Sequence, residues 1–229
     1  FENVNLNFGV AVNQYFGRHY GNVSGVTYTN IYEHEYYRNN ALKNEISGFA
    51  KAIYKLNKFE FFGDLQIRNI DYKTYVIDAN AEEGADLSQK WNFFNPKFGV
   101  NYQIENGKIF LSYAHAHREP NRDDLFANPN TKPEKLHDFE LGLEKTFGDV
   151  AFTANAYYMN YVNQLVLSGE LNMVGEFIKI NSGKSYRLGI ELGALAKISE
   201  KLNISGNLTL SQNKNVDFKI EDYSSVNNL

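Results

Sequence analysis

The sequence contains no cysteine and only four prolines among its 229 residues. The absence of cysteine excludes disulfides, thiolate nucleophiles and cysteine-based zinc sites. No run of about 18 apolar residues occurs, so no segment is suited to a transmembrane helix. The mean hydropathy of -0.47 is likewise too polar for a bundle of membrane helices.

A strong excess of charge of either sign is also missing. The formal net charge is -4 and the isoelectric point is about 5.8. These values exclude a strongly basic surface for nucleic acid. The chain begins at Phe1-Glu2-Asn3-Val4, without a positively charged start or an apolar signal segment. That start is expected of a mature exported protein or of a piece of a longer one.

What the sequence does contain is alternation of apolar and polar residues. Between residues 4 and 12 every second residue is apolar, separated by asparagine, glycine and alanine. The pattern recurs at 186–194 and 202–211, and more weakly at 46–55, 61–68, 96–103, 109–116, 137–145 and 150–159. A strand sends alternate side chains to opposite faces. We therefore predict an all-β chain of about nine strands, with no competing helical pattern.

The connections between these strands alternate in length. Short turns are predicted at 56–58, 105–107, 147–149 and 199–201, and longer segments at about 15–40, 77–90, 118–134 and 165–178. This rhythm predicts an antiparallel up-and-down meander. Short turns at one rim and long loops at the other are typical of outer-membrane β-barrels.

A soluble β-sandwich would show the same alternation. Two features favour the membrane barrel. The best runs last nine or ten residues, close to the roughly 9–11 needed to cross a bilayer. Aromatic residues also crowd the strand ends, as in interfacial belts. These residues are Phe59, Phe61, Phe62, Trp91, Phe93, Phe94, Tyr157, Tyr158 and Tyr161.

Two proline-containing boxes carry a family resemblance. Arg118-Glu119-Pro120-Asn121 ends one strand, and Asn128-Pro129-Asn130-Thr131-Lys132-Pro133-Glu134 opens the next, which continues through Glu140-Leu141-Gly142. Together with 155–166 and 181–192, these segments resemble the barrel of TonB-dependent outer-membrane receptors of Gram-negative bacteria. The likeness runs over most of residues 91–212.

The resemblance implies a 22-stranded transmembrane β-barrel closed around an N-terminal plug that TonB grips. The sequence contains neither the plug nor the last barrel strands, so we expect residues 1–229 to be a partial β-barrel domain of a longer receptor. The implied function is TonB-dependent import across the outer membrane of a scarce nutrient, with a ferric siderophore as the leading candidate. The expected partners are TonB through the plug, an iron chelate and outer-membrane lipid, without nucleic acid. A passive porin and an outer-membrane hydrolase are the alternatives.

Candidate site residues fall in the long connections. Tyr36, Tyr37 and Arg38 are the candidates for contact with the imported ligand. The proline boxes are predicted to act as a structural loop clamp, because proline cannot donate to a strand ladder and stiffens a loop. Its members are Arg118, Pro120, Asn121, Asp123, Asp124, Pro129, Pro133 and Glu134. Arg118 is expected to pair with Asp123 or Asp124.

No catalytic residue set, metal site or cofactor is predicted, and we expect no enzyme activity. His115 and His117 share one face of a strand, a spacing that can hold a metal. That face also carries Ile109, Leu111 and Tyr113, so it is predicted to point away from the lumen. Haem receptors of the family that this sequence resembles typically carry a histidine between the two proline boxes, where imidazole can ligate haem iron. Residues 121–127 contain no histidine, so the resemblance implies an iron chelate rather than haem. A charged lumen wall that holds the plug is predicted from Asp64, Gln66, Arg68, Asp138, Glu140 and Glu144.

Overall fold

The computed structural model describes residues 3–23, 34–77, 86–171, 175, 177–216 and 218. Strands dominate this part of the chain, with one short helix. The strands are β1 (Val4–Val23), β2 (His34–Leu56), β3 (Phe59–Val76), β4 (Leu87–Ile104), β5 (Gly107–Arg118), β6 (Glu134–Phe147), β7 (Val150–Val162), β8 (Leu165–Leu171), β9 (Phe177–Asn181), β10 (Lys184–Ser199) and β11 (Leu202–Val216). The helix, α1, is Arg122–Ala127.

Nine of these strands pair in the order β1-β2-β3-β4-β5-β6-β7-β10-β11. The pairs from β4 to β11 are antiparallel throughout. The predicted antiparallel meander of nine strands is confirmed. Strands β8 and β9 form a separate antiparallel hairpin inside the connection from β7 to β10.

Three features of the long connections were not predicted. Helix α1 lies in the 118–134 connection and the β8–β9 hairpin in the 165–178 connection. Strand β1 also continues to Val23 and β2 begins at His34, so strands occupy much of the predicted 15–40 loop. Backbone pairing can continue where the apolar alternation stops, because the ladder hydrogen bonds do not depend on side-chain hydrophobicity.

The four predicted short turns are all present as tight hairpins. Asn57 and Asn106 adopt positive φ values of 53° at two of them, and Gly148 adopts 56° at a third. Tight hairpin turns commonly use this left-handed conformation, which asparagine and glycine tolerate best. The turn residues therefore specify where each strand reverses.

The chain divides into two compact units. The first consists of Phe1–Asn7, Ala50–Leu65 and Asn95–Leu229, and the second of Phe8–Phe49 and Gln66–Phe94. The prediction that residues 1–229 form one partial barrel domain stays a prediction. No helix in the described ranges is long and apolar enough to cross a membrane.

One face of the first unit is apolar and exposed. Strand register aligns Leu111 with Leu141, Leu141 with Ala156, Ala156 with Ile190 and Ile190 with Leu210. Leu111, Leu141 and Ile190 are each more than half exposed. A continuous row of exposed aliphatic side chains across five strands indicates a surface meant for an apolar environment. We call this surface the apolar face.

Aromatic rings border the apolar face towards the long connections. Ring centroids lie 5.1 Å apart between Phe98 and Tyr113, and 4.9 Å apart between Tyr113 and Phe139. The row continues from Phe139 to Tyr158 at 6.5 Å and from Tyr158 to Tyr186 at 6.4 Å. This row, which we call the aromatic girdle, crosses β4, β5, β6, β7 and β10.

The opposite, polar face of the first unit uses its aromatic residues differently. A Cβ atom added at Gly142 would lie 2.0 Å from the Phe110 ring, and one at Gly189 would lie 2.7 Å from the Tyr157 hydroxyl. These rings therefore occupy the space above glycines of the neighbouring strands. Phe62 packs in the same way on Gly99. The prediction that Phe62 and Tyr157 belong to interfacial belts was wrong, because strand alternation places them on the polar face.

The second unit carries a small buried cluster on one face of its strands. Its members are Asn39, Ala41, Ile70, Tyr72, Thr74, Leu87, Trp91 and Phe93. Arg68 reaches across to Glu45 with two hydrogen bonds of 2.8 Å and 3.1 Å. Its guanidinium also lies 5.8 Å from the centroid of the Phe93 ring. These contacts hold the Arg68 guanidinium between Glu45 and Phe93 and so tie β3 to β2 and β4.

Candidate functional site

Helix α1 begins with a complete capping box. The Asn121 side chain accepts a hydrogen bond from the Asp124 amide at 2.7 Å, and the Asp124 carboxylate accepts one from the Asn121 amide at 3.0 Å. Asp123 and Asp124 also place negative charge in the first turn, where the helix dipole favours it. The cap stabilises a helix of only six residues, which is too short to persist alone.

Two further contacts fix the helix against its surroundings. The Thr131 hydroxyl donates to the backbone carbonyl of Asn128 at 2.7 Å and lies 3.2 Å from that of Asp124. The Lys179 ammonium of β9 lies 3.8 Å from the buried Asp124 carboxylate. Leu125 is fully buried under the helix. Helix α1 is therefore anchored at its first turn and from the neighbouring hairpin.

Glu134 is the central residue of this region. Its carboxylate accepts a hydrogen bond from the Arg118 guanidinium at 3.1 Å and another from the Leu165 backbone amide at 3.0 Å. Arg118 was expected to pair with Asp123 or Asp124, and that expectation was wrong. Register sets Arg118 opposite Glu134 in the β5–β6 pair, while Asp123 pairs with Arg122.

Asn181 joins the two connections from the other side. Its side chain accepts from the Lys132 amide at 2.8 Å and donates to the Lys132 carbonyl at 3.0 Å. It also lies 2.8 Å from the Asn163 carbonyl. A side-chain amide that both donates to and accepts from one residue mimics a β-bridge, so residue 132 is held as if paired in a sheet.

Together these contacts fasten the connection after β5 to the connection after β7. From here on, loop clamp denotes the residues that make these contacts rather than the set predicted from sequence: Arg118, Asn121, Asp124, Thr131, Glu134, Leu165, Lys179 and Asn181. Pro120 is buried beside it, Pro133 is half-buried and Pro129 is exposed. Sequence reasoning named Glu134 but not Asn181, because an asparagine 49 positions away from Lys132 gives no local signal.

The ligand candidates lie at the start of β2. Arg38 forms a two-pronged ion pair with Glu35 and lies 5.5 Å from the centroid of the Tyr20 ring. Its guanidinium lowers the pKa of the Glu35 carboxyl through this hydrogen bond. Alternation along β2 places Tyr37 on the same face as Asn39 and Arg38 on the opposite face. The side chain of Tyr36 lies outside the described residues.

Asn39 is the most unusual polar residue near these candidates. Its side chain is completely buried, and neither amide atom has a hydrogen-bond partner among the described residues. A buried amide without partners costs free energy. The second unit therefore encloses an amide whose donor and acceptor have no partner among the described residues, two positions from Tyr37.

The residues predicted to form a charged lumen wall lie in both compact units, so the wall stays a prediction. In the second unit Arg68 is neutralised by Glu45. In the first unit Asp138, Glu140 and Glu144 of β6 point to the polar face, whereas Phe139 and Leu141 of the same strand point to the apolar face. Among them, Glu144 pairs with Lys108 at 3.1 Å.

The histidines lie on the apolar face, just beyond the aromatic girdle. His115 stacks on His137 with ring centroids 4.3 Å apart, and His117 lies edge-on to His115 at 4.5 Å. Sequence reasoning did not include His137, which register brings opposite His115. The described residues contain no group of three or more histidine, cysteine or acidic residues arranged to hold a metal ion.

Comparison with known proteins identifies the family. A family model described as the β-barrel of TonB-dependent receptor-like proteins matches residues 1–228. The chain belongs to the TonB-dependent receptor β-barrel family. No curated protein matches it in sequence.

Solved structures with the same fold include several receptor barrels. The copper transporter OprC superposes with a TM-score of 0.79 at 17% identity, over 94% of this chain and 36% of that chain. The ferric-catecholate import receptor Fiu of E. coli K12 gives 0.65 at 17%, over 92% and 35%. The ferric yersiniabactin uptake receptor FyuA of Yersinia pestis gives 0.62 at 15%, over 93% and 33%. The chain thus spans about a third of the length of these proteins.

Membership in this family predicts which environment each face of the first unit would meet in a complete barrel. Strands of an outer-membrane barrel direct apolar residues to lipid and polar residues to the lumen. The long connections, two of which the loop clamp joins and another of which precedes β2, alternate along the chain with the short turns.

Proposed function

We propose that this receptor barrel is part of an outer-membrane importer that takes up a ferric siderophore with energy supplied through TonB. The observation that carries the proposal is the family match over residues 1–228. Two structures of the same fold belong to receptors for ferric chelates, one for ferric catecholates and one for ferric yersiniabactin. The passive porin and the hydrolase receive no support from this family.

The apolar face supports an outer-membrane location. Exposed aliphatic rows end at the aromatic girdle on one side. On the other they end at rings near the short turns, where Phe59 and Tyr102 lie 4.8 Å apart. An apolar band between two aromatic borders matches the depth profile of a bilayer.

For ligand contact we propose the start of β2, with Tyr37 as the principal residue. Tyr37 is partly exposed, whereas Asn39 on the same face is completely buried and out of a ligand's reach. A phenol hydroxyl can donate a hydrogen bond to the oxygen-rich surface of an iron chelate. Arg38 faces the other way and is held by Glu35 and Tyr20, so its contribution is indirect. Tyr36 remains a candidate from sequence.

The histidines of the first unit favour a chelate over haem. His115 and His117 belong to the apolar face, since Tyr113, His115 and His117 alternate with the residues of the polar face along β5. Helix α1 contains no histidine. The imidazoles available in this part of the chain therefore point away from the face assigned to the lumen.

The test is a titration of the full-length receptor in detergent with ferric catecholates and with haem. We expect tight binding of a ferric chelate, weakened between about twofold and tenfold by Tyr37→Phe, because one hydrogen bond is lost. Tyr102→Phe, at the short-turn rim, is the matched control and should leave affinity unchanged. A tight Soret shift with haem that disappears in His115→Ala would contradict the proposal.

Import itself is measured by uptake of labelled iron in cells that express the full-length receptor. Uptake should require an intact TonB. Equal uptake with and without TonB would show passive permeation, which would refute energy-coupled import.

A further inference from the structure

A small polar cavity lies beside the start of β8, where β10 pairs with β11. Its volume is about 200 Å³, and its lining includes Gln164, Arg187, Asn213, Lys214 and Asn215. No acidic residue belongs to this lining. Sites that enclose a whole ligand have volumes of about 300–1,000 Å³, so this cavity suits one functional group of a larger ligand. We call it the arginine cavity.

Arg187 is the charged residue of the polar face in this cavity. Alternation along β10 places it on the polar face together with Ser185 and Gly189. Its guanidinium lies 5.0 Å from the centroid of the Tyr161 ring, and Tyr161 is buried. Stacking on a fixed ring orients the guanidinium and leaves the N–H groups at its edge free to donate. Within the described part of the chain, no carboxylate pairs with Arg187.

Three amides supply further donors around Arg187. Register sets Arg187 opposite Asn213 and Ser185 opposite Asn215, so both asparagines share the polar face. The buried Ser185 hydroxyl donates to Gln164 Oε1. Because this oxygen is occupied, the Nε2 group of Gln164 is left to donate. None of these three amide nitrogens donates a hydrogen bond to another described residue.

The acidic residues of the polar face lie at a distance from Arg187. Asp138 is in register with Met159, which is in register with Arg187. Asp138 is therefore separated from Arg187 by two strand spacings of about 4.8 Å each. Glu191 lies four residues further along β10, at about 13 Å. An exposed cation without a nearby counterion is stabilised by an anion brought from outside.

The donors of the arginine cavity match a carboxylate. A guanidinium presents two parallel N–H groups to the two oxygens of a planar carboxylate, and amide groups can complete its hydrogen bonding. In ferric catecholates and hydroxamates the acidic oxygens are bound to iron. A hydroxycarboxylate chelate such as ferric citrate carries more carboxylates than iron requires. A free carboxylate can then enter a cavity that is too small for the whole chelate.

We propose that the arginine cavity binds a free carboxylate of the imported ferric chelate, with Arg187 as the specificity-determining residue. The receptor then prefers hydroxycarboxylate chelates to chelates without a free carboxylate. Polar residues of such barrels face the lumen, which places the cavity on the side that an imported ligand reaches. The inference rests on the proposed import of a ferric chelate and narrows its chemical class.

The experiment is isothermal titration calorimetry of the full-length receptor in detergent with three probes. These are ferric citrate, metal-free citrate and a neutral ferric trihydroxamate. The variants are Arg187→Gln, which removes the charge, and Arg187→Lys, which keeps the charge but loses the paired donors. Lys197→Gln is the matched control, since Lys197 is exposed on the same face of β10, near the short turn.

We expect ferric citrate to bind the unaltered receptor at least about tenfold more tightly than the trihydroxamate. Arg187→Gln should weaken ferric citrate binding by about tenfold or more, because a charge-assisted hydrogen bond is lost. Arg187→Lys should weaken it by about threefold. Binding in Lys197→Gln should stay within about twofold of the unaltered receptor, and Arg187→Gln should leave trihydroxamate binding unchanged. Metal-free citrate should bind more weakly and show the same dependence on Arg187.

Two results would overturn the proposal. Citrate binding, with or without iron, that is absent or does not depend on Arg187 would show that the cavity does not take a carboxylate. Equal weakening of ferric citrate and trihydroxamate in Arg187→Gln would show a structural effect rather than carboxylate recognition. Failure of the import proposal has a different signature: metal-free citrate would still require Arg187, while neither ferric chelate would be taken up by cells.

Discussion

Replacement of Glu134 by alanine tests whether the loop clamp holds the two long connections together. Glu134 is 9% exposed and serves both Arg118 and the backbone amide of Leu165. Alanine removes both hydrogen bonds and leaves the buried Leu165 amide without an acceptor. We expect the β8–β9 hairpin to open more often, while the main sheet stays intact.

The magnitude follows from the two contacts. The Arg118 side chain is 61% exposed, so solvent screening limits its ion pair to at most about 1 kcal/mol. The hydrogen bond from Leu165 to a buried carboxylate contributes about 1.5–3 kcal/mol. Glu134→Ala should therefore cost about 2–4 kcal/mol of local opening free energy. Glu134→Gln keeps a neutral acceptor and should cost about 1 kcal/mol.

The assay is amide hydrogen exchange of the full-length receptor in detergent, followed by mass spectrometry of peptides from β8 and β9. A loss of about 3 kcal/mol raises exchange there by about a hundredfold. Glu144→Ala is the matched control, since its ion pair with Lys108 lies on a half-exposed surface. It should change exchange in the hairpin by less than about twofold.

The order of the variants decides the interpretation. We expect Glu134→Ala to have the largest effect, followed by Glu134→Gln and then Arg118→Ala. If Arg118→Ala matched Glu134→Ala, the ion pair rather than the Leu165 hydrogen bond would hold the clamp. If Glu134→Ala matched Glu144→Ala, the clamp would contribute nothing to loop order.

Three further changes test other parts of the chain. Gly107→Ala should lower the free energy of unfolding in urea by about 2–4 kcal/mol, because the added Cβ would lie 2.1 Å from a backbone oxygen of β6. Gly206→Ala is the control, since a Cβ there meets open space. Equal losses of unfolding free energy in the two variants would refute the steric argument. Asn57→Ala should cost about 1–2 kcal/mol at a φ of 53°, whereas Asn57→Gly should be tolerated in the same assay. Arg38 lowers the pKa of Glu35 below its ordinary 4.5, so their ion pair is intact at neutral pH and is lost as the pH falls through the lowered pKa. Amide protection at the start of β2 should decrease over the same pH range. The same pH dependence in Glu35→Gln would contradict the assignment.

The strands, their faces and their short turns could be predicted because each has a local cause. Alternation at period two assigns side chains to faces without knowledge of any partner strand. Asparagine and glycine at tight turns report a backbone conformation that other residues avoid. The exposed aliphatic row from Leu111 to Leu210 follows directly from these local patterns once the strands pair in order.

The partners of the polar side chains could not be predicted, because they depend on register between strands. Arg118 pairs with Glu134, 16 positions away, only because β5 and β6 align these two residues. Asn181 meets Lys132 across 49 positions, which requires β7, the hairpin and β10 to be placed first. The match of apolar faces between paired strands and the geometry of the turns set that register, and they act between strands rather than within any single segment.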